Sequence, residues 1–500
     1  MTHHVPDNIP SEILHYIGGK YVPSKSGKTF EVVDPVTCQG YTKCSWGMQE
    51  DVDAAVAAAK EAFENGPWPR MKNRERANIL YRVAEQIVAR ADELVEAEVF
   101  DTGLVLKQAR GQTARSAENF RFFADLIVAG GSHSYSVPGS QMNYVYRKPK
   151  GVAGLITPWN TPFMQESWKL APALAAGCTV VLKPAEFTPL SAMLWGEIFK
   201  DAGMPDGVFN LINGLGETTG DTLVKHPDVR VISFTGEART GRIIYANCAA
   251  TLKGMSMELG GKSPAVVFAD ADLDTAVRST VFSVMSLNGE RCTAGSRILV
   301  QRPIYEKFCE MYKARCESMV VGNPNDESSD VGALVHPEHY AKVMSYVELG
   351  KQEATLLTGG DVPADLPEEF KGGSFLRPTA FKDVSPNTRI FREEIFGPVV
   401  AITPFDTEEE ALQLANDTEY GLASYVWTND LKRAHRFAQN IQAGMVWLNS
   451  HNVRDLRMPF GGVKASGLGH EGGYRSLDVY TDQQAIHITL DEAKGSGFGG

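Results

Sequence analysis

Apolar residues recur at three- and four-residue intervals between Gln49 and Asp101, in VDAAVAAAKEAF and ILYRVAEQIVARADELVEAEVF, and this spacing predicts amphipathic helices. A short strand-like opening precedes them, HYIGGKYV and then FEVVDP. From Gly151 the pattern changes to short β-rich runs (GVAGLITPWN, CTVVLKP, GVFNLING, VRVISFTG) that alternate with helical stretches. Such alternation predicts βαβ repeats around a parallel, Rossmann-like sheet. A second series begins near Lys262 with SPAVVFADADL and runs through RILVQRPIYEKFCEMYKARCESM to about residue 460, giving a second α/β lobe. Two separated segments, 132–150 and 478–490, alternate without intervening helices. One shared antiparallel flap accounts for both, with edges suited to subunit pairing.

Five hundred residues exceed what a single core organises, and 43% apolar content can fill several lobes. A formal charge of −12 without any Lys/Arg-rich block argues against a nucleic-acid partner. The start, MTHHVPDNIPSEILHYIGGKYV, lacks the basic and continuous apolar regions of a secretory signal, and no apolar run reaches the roughly 18 to 20 residues of a membrane span. The seven cysteines, at 38, 44, 178, 248, 292, 309 and 316, contain no C-x-x-C pair, which speaks against a disulfide scaffold and for a reducing, cytoplasmic setting. His3 and His4 read as part of a flexible terminus, and no Cys/His cluster has metal spacing, so no metal is expected.

Candidate chemistry begins at NGERCTAGSR (288–297), where Cys292 sits among small, turn-forming residues that let a substrate approach a nucleophile. Alone, the residue reads more readily as an inert, small buried hydrophobe. Glu258 in MELGGKSP has two following glycines that leave room to swing toward a water, although an ordinary carboxylate beside a turn would look the same. Asn160 in ITPWNTPF, between Pro158 and Pro162, is a fixed amide donor suited to an oxyanion hole, where one lost donor costs ~3 kcal/mol of barrier.

TPWN, KPAEFTP, SFTG, ELGGKSP, NGERCTAGSR, EEIFGPV and PFGGVKASG occur in the order and approximate spacing of the aldehyde dehydrogenase superfamily, and the chain resembles that family from about residue 15 to 490. The resemblance implies an α/β fold with a Rossmann-like NAD-binding domain (1–131 and 151–258), an α/β catalytic domain (259–460), a small antiparallel oligomerisation flap (132–150 and 478–492), a return segment at the active-site mouth (461–477) and a flexible tail (493–500). It implies Cys292 as nucleophile, Glu258 as general base, Asn160 with the Cys292 backbone amide as oxyanion hole, and Lys169 in support. It implies a homo-oligomer, dimer or tetramer.

On the cofactor side, the resemblance places Lys183 and Glu186 at the adenosine ribose, and a glutamate accepting from the 2′-hydroxyl favours NAD over NADP. A surface ion pair is the bland alternative. Gly236 and Gly241 in SFTGEARTG would let backbone approach a pyrophosphate, with Gly216 and Gly220 on the adenine side. Glu394 and Phe396 match positions at the nicotinamide ribose and ring, and Ile156, Trp159 and Phe234 complete the set. Glu237, where many relatives carry Ser or Gly, receives no phosphate contact.

On the substrate side, Arg115 in ARSAENFRFFA and Arg454 in VRDLRMPFGG fall where the family lines its substrate mouth, a natural clamp for a carboxylate. Ion pairs at a subunit interface are the alternative, Arg457 being the more structural residue. NGERCTAGSR, KGGSFLRPT, VRDLR and MNYVYRKPKGV resemble the branch that oxidises carboxylated ring-cleavage semialdehydes, 5-carboxymethyl-2-hydroxymuconate semialdehyde matching best. Betaine aldehyde or broad aliphatic aldehydes are the alternative substrates, with Trp159, Phe163 and Trp168 lining an apolar or cation-binding tunnel. Trp168 and Phe163 count as substrate residues on either reading. A CoA-acylating enzyme would lack the hydrolytic Glu258, and a catalytically dead scaffold would have lost Cys292 or Glu258.

Overall fold

Strands Val152–Ile156, Thr179–Lys183 and Phe209–Leu211 are buried along their whole length. A strand covered on both faces reads as a near-continuous apolar run, and that is how these segments are written. They belong to an eight-stranded sheet in the computed structural model, which describes residues 5–6 and 9–490. Five strands form its parallel middle, in the spatial order Gly254–Glu258, Val229–Thr235, Val152–Ile156, Thr179–Lys183 and Phe209–Leu211. Antiparallel strands finish both edges: Gly467–Leu468 beside Gly254–Glu258, and His15–Ile17 with Lys20–Val22 at the far side.

The strand-like opening therefore splits. HYIGGKYV extends the large sheet, whereas the FEVVDP run forms Thr29–Val33 in a separate three-stranded sheet with Gly40–Ser45 and Glu12–Ile13. The helical stretch from Gln49 resolves into Gln49–Glu64, Asn73–Ala89 and Ala91–Thr102. Pro67 and Pro69 separate the first two, since proline has no amide proton to continue a helix. Helix Leu106–Ala129 follows and packs against Asn73–Ala89 and against Pro162–Ala176.

The second lobe carries a seven-stranded sheet, ordered Thr355–Thr358, Thr379–Lys382, Val399–Phe405, Arg297–Gln301, Pro264–Val267, Ala423–Trp427 and Met445–Leu448. All neighbours are parallel except the first pair. A last sheet joins Ser134–Val137, Gln141–Pro149 and Thr481–Thr489 in antiparallel order, with Thr481 opposite Pro149 and Thr489 opposite Gln141. Helix Gly473–Tyr480 leads directly into it. Among the described residues, no helix is long and apolar enough to cross a membrane, and no three His, Cys, Asp or Glu side chains are grouped to hold a metal ion. His3, His4 and the tail 493–500 lie outside the described residues.

Candidate active site

The register of the large sheet sets Ile156 beside both Lys183 and Phe234, and Thr235 beside Glu258. These residues end four neighbouring parallel strands, and the carboxyl edge of such a sheet is where α/β folds place ligands. A cavity of about 650 Å³ opens there, with Ile156, Lys183 and Phe234 in its wall. Glu186, Gly216 and Gly220 line the same space, as do Trp159 and Gly236. Lys183 Nζ lies 2.7 Å from the Pro184 carbonyl and 3.4 Å from Glu186 Oε2.

A second cavity, of about 400 Å³, shares Trp159, Gly236 and Glu237 with the first and continues to Glu394, Phe396, Asn160 and Cys292. Trp159 meets Phe396 edge-on, with ring centroids 5.2 Å apart, and packs 4.8 Å from His339. Glu394 Oε1 accepts from the Gly261 amide at 2.8 Å, and burial raises its carboxyl to about 7.

Two expectations need correction. Gly241 does not line this nucleotide-sized space: it lies within helix Ala238–Ala249, its amide donates to the Glu237 carbonyl at 3.0 Å, and a Cβ there would come within 2.6 Å of the Leu259 side chain. Its smallness serves helix-to-strand packing. Phe163 does not face the substrate side either. It is fully buried and stacked on Trp195 with centroids 4.1 Å apart. Helical phase explains the difference, because Met164, Gln165 and Trp168 project from other faces of the same helix.

Cys292 stands on a strained turn. Leu287, Asn288 and Gly289 have φ of 54°, 55° and 78°, a left-handed run that costs of order 1–3 kcal/mol for each non-glycine residue. The Asn288 amide holds it, donating to the carbonyls of Gly103 (3.0 Å) and Ala333 (2.9 Å) and accepting from the Gly332 amide (2.8 Å). Glycine at 289 is required, since a Cβ would meet the Gly397–Pro398 backbone at 2.1 Å. Asn160 Nδ2 donates one proton to the Glu290 carbonyl at 2.7 Å, which fixes the amide plane and leaves its second proton for another acceptor. Burial, with Glu258 and Glu394 adding, pushes the Cys292 thiol up to about 12, while Arg291 and Arg454 oppose.

Glu258 is buried, and neither carboxylate oxygen has a hydrogen-bond partner among the described residues. A Cβ on Gly461 would come 2.9 Å from its Oε1, so the carboxylate rests against a glycine that leaves space for it. Burial foremost and Glu471 next raise its pKa well above the carboxylate range; Lys169 and Arg454 work the other way. Lys169 is 0% exposed and binds Glu471 Oε1 (2.7 Å) and Ser233 Oγ (2.8 Å), so its ammonium is held by these two side chains.

On the opposite side of Cys292 a small cleft is lined by Asn160, Gln165, Arg115, Arg291, Arg454 and Phe460. Cys292, Asn160 and Gln165 line both this cleft and the 400 Å³ cavity, so the thiol occupies the wall between them. The Arg454 guanidinium sits 4.0 Å from the Trp168 ring centroid and 4.3 Å from that of Phe460. Burial and the neighbouring Arg115 lower it to about 9. Among the described residues, Arg115, Arg291 and Arg454 have no ion-paired carboxylate. Arg457, by contrast, is exposed and paired with Asp455.

Sequence reasoning missed Arg291, Glu471, His339 and Phe460. Arg291 stood one residue before Cys292 in a quoted motif and could have been found; Glu471, 302 positions beyond its partner Lys169, carries no local signal.

The model of the aldehyde dehydrogenase family matches residues 21–486. The 2-hydroxymuconic semialdehyde dehydrogenase of Pseudomonas sp. (strain CF600) is 46% identical over 486 residues, covering 96% of this chain and 100% of that protein. The 5-carboxymethyl-2-hydroxymuconate semialdehyde dehydrogenase of Escherichia coli is also 46% identical, over 93% of this chain and 98% of its own length. Among solved structures, HpcC of Thermus thermophilus superposes with a TM-score of 0.95 at 49% identity, covering 98% of this chain and 95% of that one. With family model, relatives and fold in agreement over almost its whole length, the chain belongs to the aldehyde dehydrogenase family.

Proposed function

We propose that this protein oxidises a carboxylated semialdehyde to the corresponding acid with NAD as hydride acceptor, through a thioester on Cys292. The observation that carries this reading is the place of Cys292 between two cavities, one leading back to Lys183 and Glu186 and the other to arginines with no ion-paired carboxylate among the described residues.

The Cys292 thiolate adds to the aldehyde carbon, and the carbonyl oxygen becomes an alkoxide opposite the free Asn160 amide proton and the Cys292 backbone amide. A nicotinamide cofactor, which Lys183, Glu186, Glu394 and Phe396 would hold, would supply the hydride acceptor that turns this adduct into a thioester. The cavities fit such a group: Gly216 has nothing within 4 Å of a would-be Cβ, leaving backbone open, and Glu394 and Phe396 border the end nearest Cys292. Glu186, as acceptor for a ribose hydroxyl, favours NAD over the 2′-phosphorylated form. Glu258 then takes a proton from water, hydroxide attacks the thioester carbon, and the acid leaves as the Cys292 sulfur is released.

Arg115 and Arg454 bind a carboxylate of the substrate, and the named activities of the two 46%-identical relatives support that substrate class. Betaine aldehyde is less well served, because its cation would enter beside Arg115, Arg291 and Arg454, even though a betaine aldehyde dehydrogenase of Staphylococcus aureus shares the fold at a TM-score of 0.92 and 36% identity. The test is Arg115→Ala and Arg454→Ala assayed on 5-carboxymethyl-2-hydroxymuconate semialdehyde and on hexanal. Each should lose about ten- to a hundredfold in kcat/KM on the acid, as expected for removal of a charged hydrogen bond, and far less on hexanal. Equal losses would refute the clamp.

We further propose the domain division given above, with the antiparallel flap as the surface of a dimer or tetramer. Its strands expose Tyr135, Val137, Met142 and Tyr146, apolar surface that a partner subunit would cover. A cytoplasmic location suits the seven free cysteines.

A further inference from the structure

Beyond the cleft that holds Arg454 lies a larger cavity of about 640 Å³, and the two share Gln112, Arg115, Leu287, Arg291 and Asn452. Its wall is cationic. Lys107 is neutralised by Asp330 at 2.7 Å and Arg278 by Asp274 at 2.7 Å, but Arg291 has no carboxylate among the described residues. Arg291 is only 8% exposed, and its Nε is buried with no hydrogen-bond partner among those residues. Its guanidinium lies 5.7 Å from the Phe282 ring centroid, and Nη1 is 3.5 Å from His451 Nε2. A guanidinium can only donate, so Nε2 accepts and the imidazole proton falls on Nδ1. That Nδ1 is also buried and unpartnered among the described residues.

We propose that this outer cavity is a second anion subsite, in which Arg291 and His451 receive a distal carboxylate, so that the enzyme is built for dianionic semialdehydes. The inference rests on the carboxylated-semialdehyde reading and extends it. One carboxylate satisfies one guanidinium bidentately. Arg454 and Arg115 suffice for the carboxylate nearer Cys292, which would leave Arg291 as a desolvated charge with nothing opposite it. A ligand with two carboxylates neutralises the whole row, and the shared wall lets one molecule reach both places. Arg291 thereby acts as a specificity residue.

The experiment compares kcat/KM of the intact enzyme on three aldehydes: 5-carboxymethyl-2-hydroxymuconate semialdehyde with two carboxylates, succinate semialdehyde with one, at the same short distance from the aldehyde as the carboxymethyl arm of the first, and hexanal with none. Arg291→Gln should lower the ratio of the first to the second about ten- to a hundredfold, mainly through KM. His451→Phe should lower it less, and Arg291→Lys, which keeps the charge but not the bidentate fork, should retain part of it. An unchanged ratio in Arg291→Gln overturns the proposal; if that variant folds poorly, an unchanged ratio in both Arg291→Lys and His451→Phe does so instead. An equal loss on all three aldehydes, accompanied by a shifted pH dependence of Cys292 alkylation by iodoacetamide, also overturns it and assigns Arg291 to the thiol. Failure of the underlying reading is distinguishable, because it shows as Arg115→Ala and Arg454→Ala weakening hexanal turnover as much as that of the monoacid.

Discussion

Lys169 Nζ lies 2.7 Å from Glu471 Oε1, and the two side chains are 0% and 5% exposed. This pair joins helix Pro162–Ala176 to the segment that runs on into the flap, and it sits behind Glu258, whose carboxyl Glu471 raises and Lys169 lowers. Replacing Lys169 by Met leaves Glu471 buried without its counter-ion, a change that costs about 3–5 kcal/mol. The same substitution removes a charge that favours ionised Glu258, so the ascending limb of the pH–rate profile moves to higher pH. Calorimetry and a pH–kcat series read the two effects separately. A fall in Tm without movement of the limb would reduce Lys169 to a structural role.

Burial raises both groups proposed to exchange protons, the Cys292 thiol to about 12 and the Glu258 carboxyl well above its usual range. Raised values mean that the proton-bound forms dominate below them. Activity should therefore climb through and beyond neutral pH. Glu258→Gln keeps the shape but cannot take a proton from water. A stopped-flow trace should show one NADH per subunit followed by a stall with acyl-enzyme detectable by mass; steady turnover at the wild-type rate would remove Glu258 from the mechanism.

Glu186 is partly open to the nucleotide-sized cavity and 3.4 Å from Lys183 Nζ. Replacing it by Ser removes both an acceptor for a 2′-hydroxyl and a charge that repels a 2′-phosphate. The NADP-to-NAD ratio of kcat/KM should rise at least about tenfold, corresponding to roughly 1.4 kcal/mol. A ratio that stays put would mean that another residue discriminates the two cofactors.

Three carboxyl groups sit buried in the first lobe with no cation paired to them among the described residues. Desolvation raises Glu98 to about 7, Asp101 to about 8 and Glu166 to about 8. Glu166 accepts from Trp195 Nε1 at 2.7 Å, and Glu98 from Ser191 Oγ at 2.6 Å. Their folded pKa values exceed the unfolded ones, so the folded state holds more protons and their contribution to stability is lost as pH rises from about 4.5 to about 8. Glu166→Gln should flatten the fall in unfolding free energy across that window, measured by urea titration at several pH values. An unaltered slope would show that Glu166 ionises normally.

The position of the candidate site was legible where strand ends follow from the apolar runs. Ile156, Lys183 and Phe234 lie at the ends of buried parallel strands that the apolar runs already marked, so topology carries them to one edge, where strand Gly254–Glu258 brings Glu258 alongside. Phe163 and Gly241 misled because a motif does not state which way a helix is turned. Phe163 and Trp168 share one helix but point roughly 140° apart around its axis. The ring of Phe163 accordingly fills the core against Trp195, while Trp168 supports Arg454. Glu471 and Phe460 escaped because each meets its partner on helix Pro162–Ala176 through a pairing far longer than any short window contains. The FEVVDP run shows the same limit at the level of fold: its strand character was readable, its choice of sheet was not.

A thiol set into a partition is reached from two sides. The Lys183 side and the arginine side share Cys292 as a piece of wall, so a change of side chain there reshapes both spaces at once.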